Sequence, residues 1–131
     1  MPKNFLQIYW KTIVLCVIIF VLSSVPFKSI PDVAKFQYSD KFTHLLMYAT
    51  LGFVAYFEYS RDSLFKNKYK SWFIYLAFFL ISFGGLIEIL QGTLFKPRTS
   101  EFADWLSDIV GLIIGFLFAR FLFRNTTDRL K

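Results

Sequence analysis

Apolar runs close to twenty residues long, separated by short polar stretches, take up most of this chain. They fall at about 9–25, 40–59, 72–95 and 102–123. A helix needs about 20 apolar residues to cross the ~30 Å hydrocarbon core of a bilayer, so each run has the length of a crossing. None shows the period-two alternation of a half-buried strand. In lipid a helix also satisfies its own backbone hydrogen bonds. The expected fold is therefore all-α: an integral membrane bundle of four transmembrane helices. Composition agrees, since 56% of the 131 residues are hydrophobic and 21% aromatic, with 18 Phe. A soluble domain of this size would have to leave much of that surface in water. The length leaves room for one domain, spanning 1–131.

The first run has a competing reading. Lys3, a short apolar stretch and Ser23-Ser24 loosely fit a signal peptide, but no small-x-small cleavage site stands out, and a retained helix is expected. Between runs one and two, Pro26 and Pro31 predict an irregular loop. The second connection is basic, with Arg61, Lys66, Lys68 and Lys70, and the third is a tight turn around Pro97. Lys3, Lys11, those four residues, Arg120, Arg124, Arg129 and Lys131 share one side of a four-crossing bundle. Lys28, Lys35, Lys41, Lys96 and Arg98 share the other. Ten against five favours both termini in the cytoplasm. The net charge of +6 is spread between and after the runs and not along one stripe, which argues against a nucleic-acid partner. Cys16, the lone cysteine, sits inside an apolar run and reads as a packing residue.

Helix counting brings together residues that are far apart in sequence. The end of helix one, the start of helix two, the end of helix three and the start of helix four lie on one side, which the charge count makes external. Asp40, Lys41, His44, Tyr48, Glu88, Gln91, Arg98, Asp104 and Asp108 belong to that side. Ionisable groups at the edge of hydrocarbon are costly and so are candidate site residues. Asp40 and His44 are one turn apart on a shared face, with Tyr48 a turn deeper. Asp40 also suits a helix cap, and Tyr48 also suits interfacial packing. Glu88 and Gln91 share a face, and Glu88 follows a long uncharged stretch, so its carboxyl either stays protonated or needs a partner, for which Lys41, His44 and Arg98 are the candidates. Asp104, Asp108, Gly111 and Gly115 are spaced by four, three and four, which keeps them on one helix stripe. The glycines permit close approach of another helix, so the stripe faces protein. Two carboxylates one turn apart repel unless an arginine, a proton or a cation intervenes. Arg98 is the nearest arginine in sequence. A divalent metal held by Asp104, Asp108 and Glu88 is the alternative, with oxygen donors suiting Mg²⁺, Ca²⁺ or Mn²⁺. One histidine and no usable cysteine argue against structural zinc.

Two stretches carry a family resemblance. They are DKFTHLLMYATLGF, residues 40–53, and EILQGTLFKPRTSEFADWLSDIVGLIIG, residues 88–115. Together they resemble the VanZ-like family of small bacterial membrane proteins. The family pattern has an Asp-Lys-x-x-His-x-x-x-Tyr block, a Glu-x-x-Gln block, Pro and Arg, and an Asp-x-x-x-Asn-x-x-Gly-x-x-x-Gly helix. This chain departs at Asp108, where the family commonly has Asn, and in having Pro97 directly beside Arg98. The resemblance implies a multi-pass envelope protein. The namesake of the family is linked to reduced susceptibility to the glycopeptide antibiotic teicoplanin, and the family implies no settled reaction.

Three functions fit these residues. In the first, the outer polar cluster binds the head group of a lipid-linked envelope precursor or other amphiphile, such as a lipoglycopeptide, with membrane lipids around the helices. In the second, the chain is a metal-assisted hydrolase or transferase acting on a lipid phosphate. His44 or Glu88 is then acid or base, Asp104 and Asp108 hold a metal or orient His44, and Arg98 stabilises charge. In the third, Glu88 and the aspartates relay ions or protons in a carrier. Four short helices leave little room for alternating access unless the chain forms a homo-oligomer.

Overall fold

The computed structural model describes residues 3–24, 39–94 and 101–128, and every regular element among them is helical. In chain order they are α1 (Phe5–Ile8), α2 (Trp10–Ser24), α3 (Ser39–Arg61), α4 (Phe65–Lys68), α5 (Trp72–Thr93) and α6 (Phe102–Asp128). The four long helices match the four apolar runs. The fourth goes on further than predicted, to Asp128, because nothing after Phe123 is a Gly or Pro that would stop it. The short helices α1 and α4 carry no apolar run and were not expected. The second of them lies inside the basic connection predicted as loop. The connection with Pro26 and Pro31, and the turn at 95–100 with Pro97 and Arg98, lie outside the described residues.

The four long helices form a ring. Helix α3 packs against α6 and α2, and α5 against α6 and α2. The α3–α6 seam is the tightest, and glycine is the reason. A Cβ on Gly111 would stand 2.5 Å from the Leu45 carbonyl oxygen, and one on Gly52 2.7 Å from that of Leu112. One on Gly115 would collide with the Ala49 carbonyl. The backbones therefore touch where side chains would normally separate them, as in small-residue membrane helix pairs. Tyr48, Leu51, Ala55, Leu80, Ile87 and Leu112 fill the interior.

The outward faces are apolar as well. Phe78 is 71% exposed and Phe121 68%, with Ile74, Ile89 and Leu117 also outward. Burial cannot explain such side chains, whereas hydrocarbon can. Helix α5 and the Phe102–Arg124 part of α6 are long and apolar enough to cross a membrane. At 1.5 Å per residue, the 22 residues of α5 reach about 33 Å. Helix α2 is apolar but has 15 residues, about 22 Å. Helix α3 is long enough but carries Lys41, His44, Glu58 and Arg61.

Candidate functional site

The first turns of α3 and α6 and the last turns of α5 meet at one end of the bundle. There His44, Glu88 and Asp108 are all buried. The His44 Nδ1 lies 2.8 Å from Asp108 Oδ1 and 3.8 Å from Glu88 Oε1. With an ionised Asp108, Nδ1–H is the donor, and Nε2 remains for another partner. The other Glu88 oxygen, Oε2, accepts the backbone N–H of Glu101 at 3.3 Å. The glycine seam makes this meeting possible. His44 immediately precedes Leu45, whose carbonyl abuts Gly111, and Asp108 sits one turn before that glycine.

Three buried oxygens in this cluster have no hydrogen-bond partner among the described residues: Glu88 Oε1, Asp108 Oδ2 and the Tyr48 hydroxyl. Two of them face the same small space beside α5. A Cβ on Gly84 would stand 3.0 Å from Asp108 Oδ2 and 3.4 Å from the Tyr48 hydroxyl. An imidazole nitrogen of His44 and carboxylate oxygens of Glu88 and Asp108 lie within 4.8 Å of one another, so the group could hold a metal ion. The metal set expected from sequence had Asp104 in the place that His44 takes here.

Asp104 sits nearer the mouth, with Lys41 Nζ 3.6 Å from its Oδ1. Lys41 also bonds Glu101 Oε2 at 2.9 Å. That hydrogen bond and the lysine charge hold the Glu101 carboxyl below the usual glutamate range. The partner expected for Glu88 is thus His44, and Lys41 serves Glu101 and Asp104. Gln91 is buried, and its amide donates to the Ser23 carbonyl at 3.2 Å. It ties the end of α5 to the end of α2. Arg98 and the side chain of Asp40 lie outside the described residues.

The opposite end holds a second buried polar cluster that the sequence reading passed over. The Glu58 carboxylate accepts the backbone N–H of Lys11 and Thr12, each at 3.0 Å, and the Thr12 hydroxyl at 2.6 Å. It caps the open N–H groups at the start of α2 and sits at the positive end of that helix. Asp62 Oδ1 accepts the N–H of Leu64 and Phe65. Its Oδ2 accepts the Tyr9 hydroxyl at 2.7 Å, and the same hydroxyl accepts from Trp72 Nε1. Every carboxylate oxygen here is bonded. The signal in the sequence was Glu58 at the end of an apolar run, the counterpart of Glu88.

The all-helical fold, two helices able to cross a membrane and the apolar outer faces together define a small helical membrane protein. Residues 5–124 match the VanZ/LLP1 family, and the chain belongs to this VanZ-like family. No match to the chain was found among curated proteins or among solved structures.

Proposed function

We propose that the chain crosses the bacterial cytoplasmic membrane four times, with both termini in the cytoplasm. Its outer-face polar cluster takes the head group of an amphiphilic or lipid-linked envelope component. The observation that carries this reading is the set of three buried oxygens on Glu88, Asp108 and Tyr48 that have no hydrogen-bond partner among the described residues. Such groups need donors or a cation. A glycan or ammonium head group supplies donors, and a head group that arrives with a divalent ion supplies the cation. Lys41 and Glu101, at the mouth, are the charged groups such a head group meets first. The family's link to teicoplanin, an amphiphile, points the same way and makes glycopeptide susceptibility a phenotype to examine.

A second reading is favoured by one contact. The 2.8 Å approach of His44 to Asp108 fixes the imidazole as acid–base catalysts require. In that reading the site performs metal-assisted hydrolysis or transfer on a lipid phosphate, with His44 as the acid or base.

Topology and binding are separate measurements. On a Cys16→Ser background, Glu101→Cys should react with a membrane-impermeant maleimide on intact cells, and Asn67→Cys should not. The reverse pattern overturns the orientation. Purified protein in lipid nanodiscs should bind teicoplanin or a long-chain polyprenyl phosphate, read by quenching of tryptophan fluorescence, and Asp108→Asn should weaken it at least tenfold. Equal binding by wild type and variant sinks the head-group reading. Release of phosphate by wild type and not by His44→Ala selects the catalytic one.

A further inference from the structure

We propose that His44, Glu88 and Asp108, with the Tyr48 hydroxyl beside them, bind one divalent first-row transition metal ion, Mn²⁺, Fe²⁺ or Zn²⁺, in preference to Mg²⁺ or Ca²⁺. This rests on reading the cluster as a binding site, and it names the ion and its ligands.

Geometry comes first. The three donor atoms lie within 4.8 Å of one another. Two donors each about 2.1 Å from a shared tetrahedral ion lie about 3.4 Å apart. The His44 Nδ1 separations of 2.8 Å to Asp108 and 3.8 Å to Glu88 bracket that spacing, and side-chain rotation of Glu88 and Asp108 has to bring any wider pair together. All three side chains are buried, with Asp108 1% exposed, so the ion would be shielded from bulk water. A fourth group points to the same space. Tyr48 is also 1% exposed, and its hydroxyl is unbonded among the described residues. Both that hydroxyl and Asp108 Oδ2 border the position where Gly84 has no Cβ. With no side chain on Gly84, both oxygens come close to the α5 backbone.

Charge agrees. In the ion-bound state the neutral His44 carries its proton on Nε2, which frees Nδ1 as the ligand in place of the hydrogen bond to Asp108; Glu88 and Asp108 then bring two negative charges, and a dication cancels them. Lys41 is engaged by Glu101 and Asp104. The bundle also contains its own comparison. Glu58 and Asp62, equally buried at the other end, have all four carboxylate oxygens bonded by backbone N–H or hydroxyl groups. This fold is therefore able to satisfy buried carboxylates, and it leaves Glu88 and Asp108 incomplete.

The donor set chooses the class of ion. One imidazole with two carboxylates suits Mn²⁺, Fe²⁺ and Zn²⁺, whereas Mg²⁺ and Ca²⁺ prefer oxygen alone. Three protein ligands with an open position is the arrangement of a reactive metal site rather than a closed structural one.

The test uses the full chain in detergent, stripped with chelator and desalted. Mn²⁺ is titrated in and followed by loss of the free-ion electron paramagnetic resonance signal, and Zn²⁺ and Mg²⁺ by competition and elemental analysis. One Mn²⁺ per chain is expected, displaced by Zn²⁺ and not by a hundredfold excess of Mg²⁺. His44→Ala, Glu88→Gln and Asp108→Asn should each weaken binding at least tenfold, and Tyr48→Phe severalfold. Helical circular dichroism confirms that each variant is folded. If all three ligand variants lose their helical signal, Gly84→Ala replaces them, since its Cβ crowds Asp108 Oδ2 without removing a ligand. No binding by folded wild type overturns the proposal, and the head-group reading then still stands if teicoplanin or polyprenyl phosphate binds. Equal affinity for Mg²⁺ overturns the ion class alone. Unaltered Mn²⁺ affinity in Asp108→Asn and Glu88→Gln places the ion elsewhere and overturns the site.

Discussion

The glycine seam between α3 and α6 sets the position of His44 against Asp108, and Gly115→Ala tests it. On an exposed helix, alanine for glycine stabilises by about 1 kcal/mol. Here the added Cβ would collide with the Ala49 carbonyl and stand 2.7 Å from the Phe53 nitrogen. Both obstacles are backbone, so no rotamer change relieves them, and the helices must move apart. Overfilling a packed interface costs about 1–3 kcal/mol, and backbone obstacles place this case at the upper end. Subtracting the propensity gain leaves a net loss of about 2 kcal/mol. The assay is reversible unfolding in mixed detergent with increasing dodecyl sulfate, followed by circular dichroism. Leu117→Ala on the same helix, at an outward position 59% exposed, is the control and should fall within about 0.5 kcal/mol of wild type. A Gly115→Ala protein as stable as wild type, or more stable, would mean that the backbones do not touch there. The explanation given for the His44–Asp108 contact would then fail with it.

Two further outcomes follow from single contacts. Glu58→Ala removes three hydrogen bonds from the start of α2 and should cost about 2–3 kcal/mol in the same unfolding assay, with Glu58→Gln milder because it keeps one acceptor. A loss below about 0.5 kcal/mol would show that water or another group replaces the cap. Lys41→Ala should let the Glu101 carboxyl titrate upward, back to the ordinary glutamate range, as read by carboxyl carbon resonances. In wild type the lowered Glu101 value means that the pair contributes above the unfolded glutamate pKa, and the contribution is lost as pH falls through the folded value. Both partners are exposed, so the unfolding midpoint at neutral pH should not move measurably. An unchanged Glu101 titration in the variant would remove Lys41 as the cause.

The four long helices were legible because apolar length is a strong signal and no Pro falls inside α2, α3, α5 or α6. The meeting of His44, Glu88 and Asp108 was legible as well, since helix parity alone places the start of α3, the end of α5 and the start of α6 together. Pairing within the cluster was less so. Glu88 had Lys41, His44 and Arg98 as candidates by sequence; between the two on α3, the rotation of that helix about its axis, set by Gly111 and Gly115 against Leu45 and Ala49, brings His44 to Glu88, and Arg98 lies outside the described residues. Gln91 shares a helix face with Glu88, yet its longer reach ends on the Ser23 carbonyl, a backbone acceptor that spacing does not reveal. Glu58 and Asp62 were missed for the same reason: their partners are backbone N–H groups at the starts of other helices, and these carry no residue signature.

The two polar ends of the bundle have the same ingredients and different outcomes, and energetics limits how that difference can be read. A buried polar atom without a partner costs about 1–3 kcal/mol. Among the described residues Asp108 Oδ2 and the Tyr48 hydroxyl have no hydrogen-bond partner, and Glu88 Oε1 has only His44 Nδ1 at 3.8 Å. A cluster kept only to join helices has no need of that cost, and the one at Glu58 and Asp62 joins α2, α3, α4 and α5 without it. Gly84 sharpens the contrast, because a methyl group there would press on both Asp108 Oδ2 and Tyr48. The incomplete hydrogen bonding among the described residues at Glu88 and Asp108 is accounted for if the cluster is completed by what it binds, and an ion held by His44, Glu88 and Asp108 is the completion proposed above.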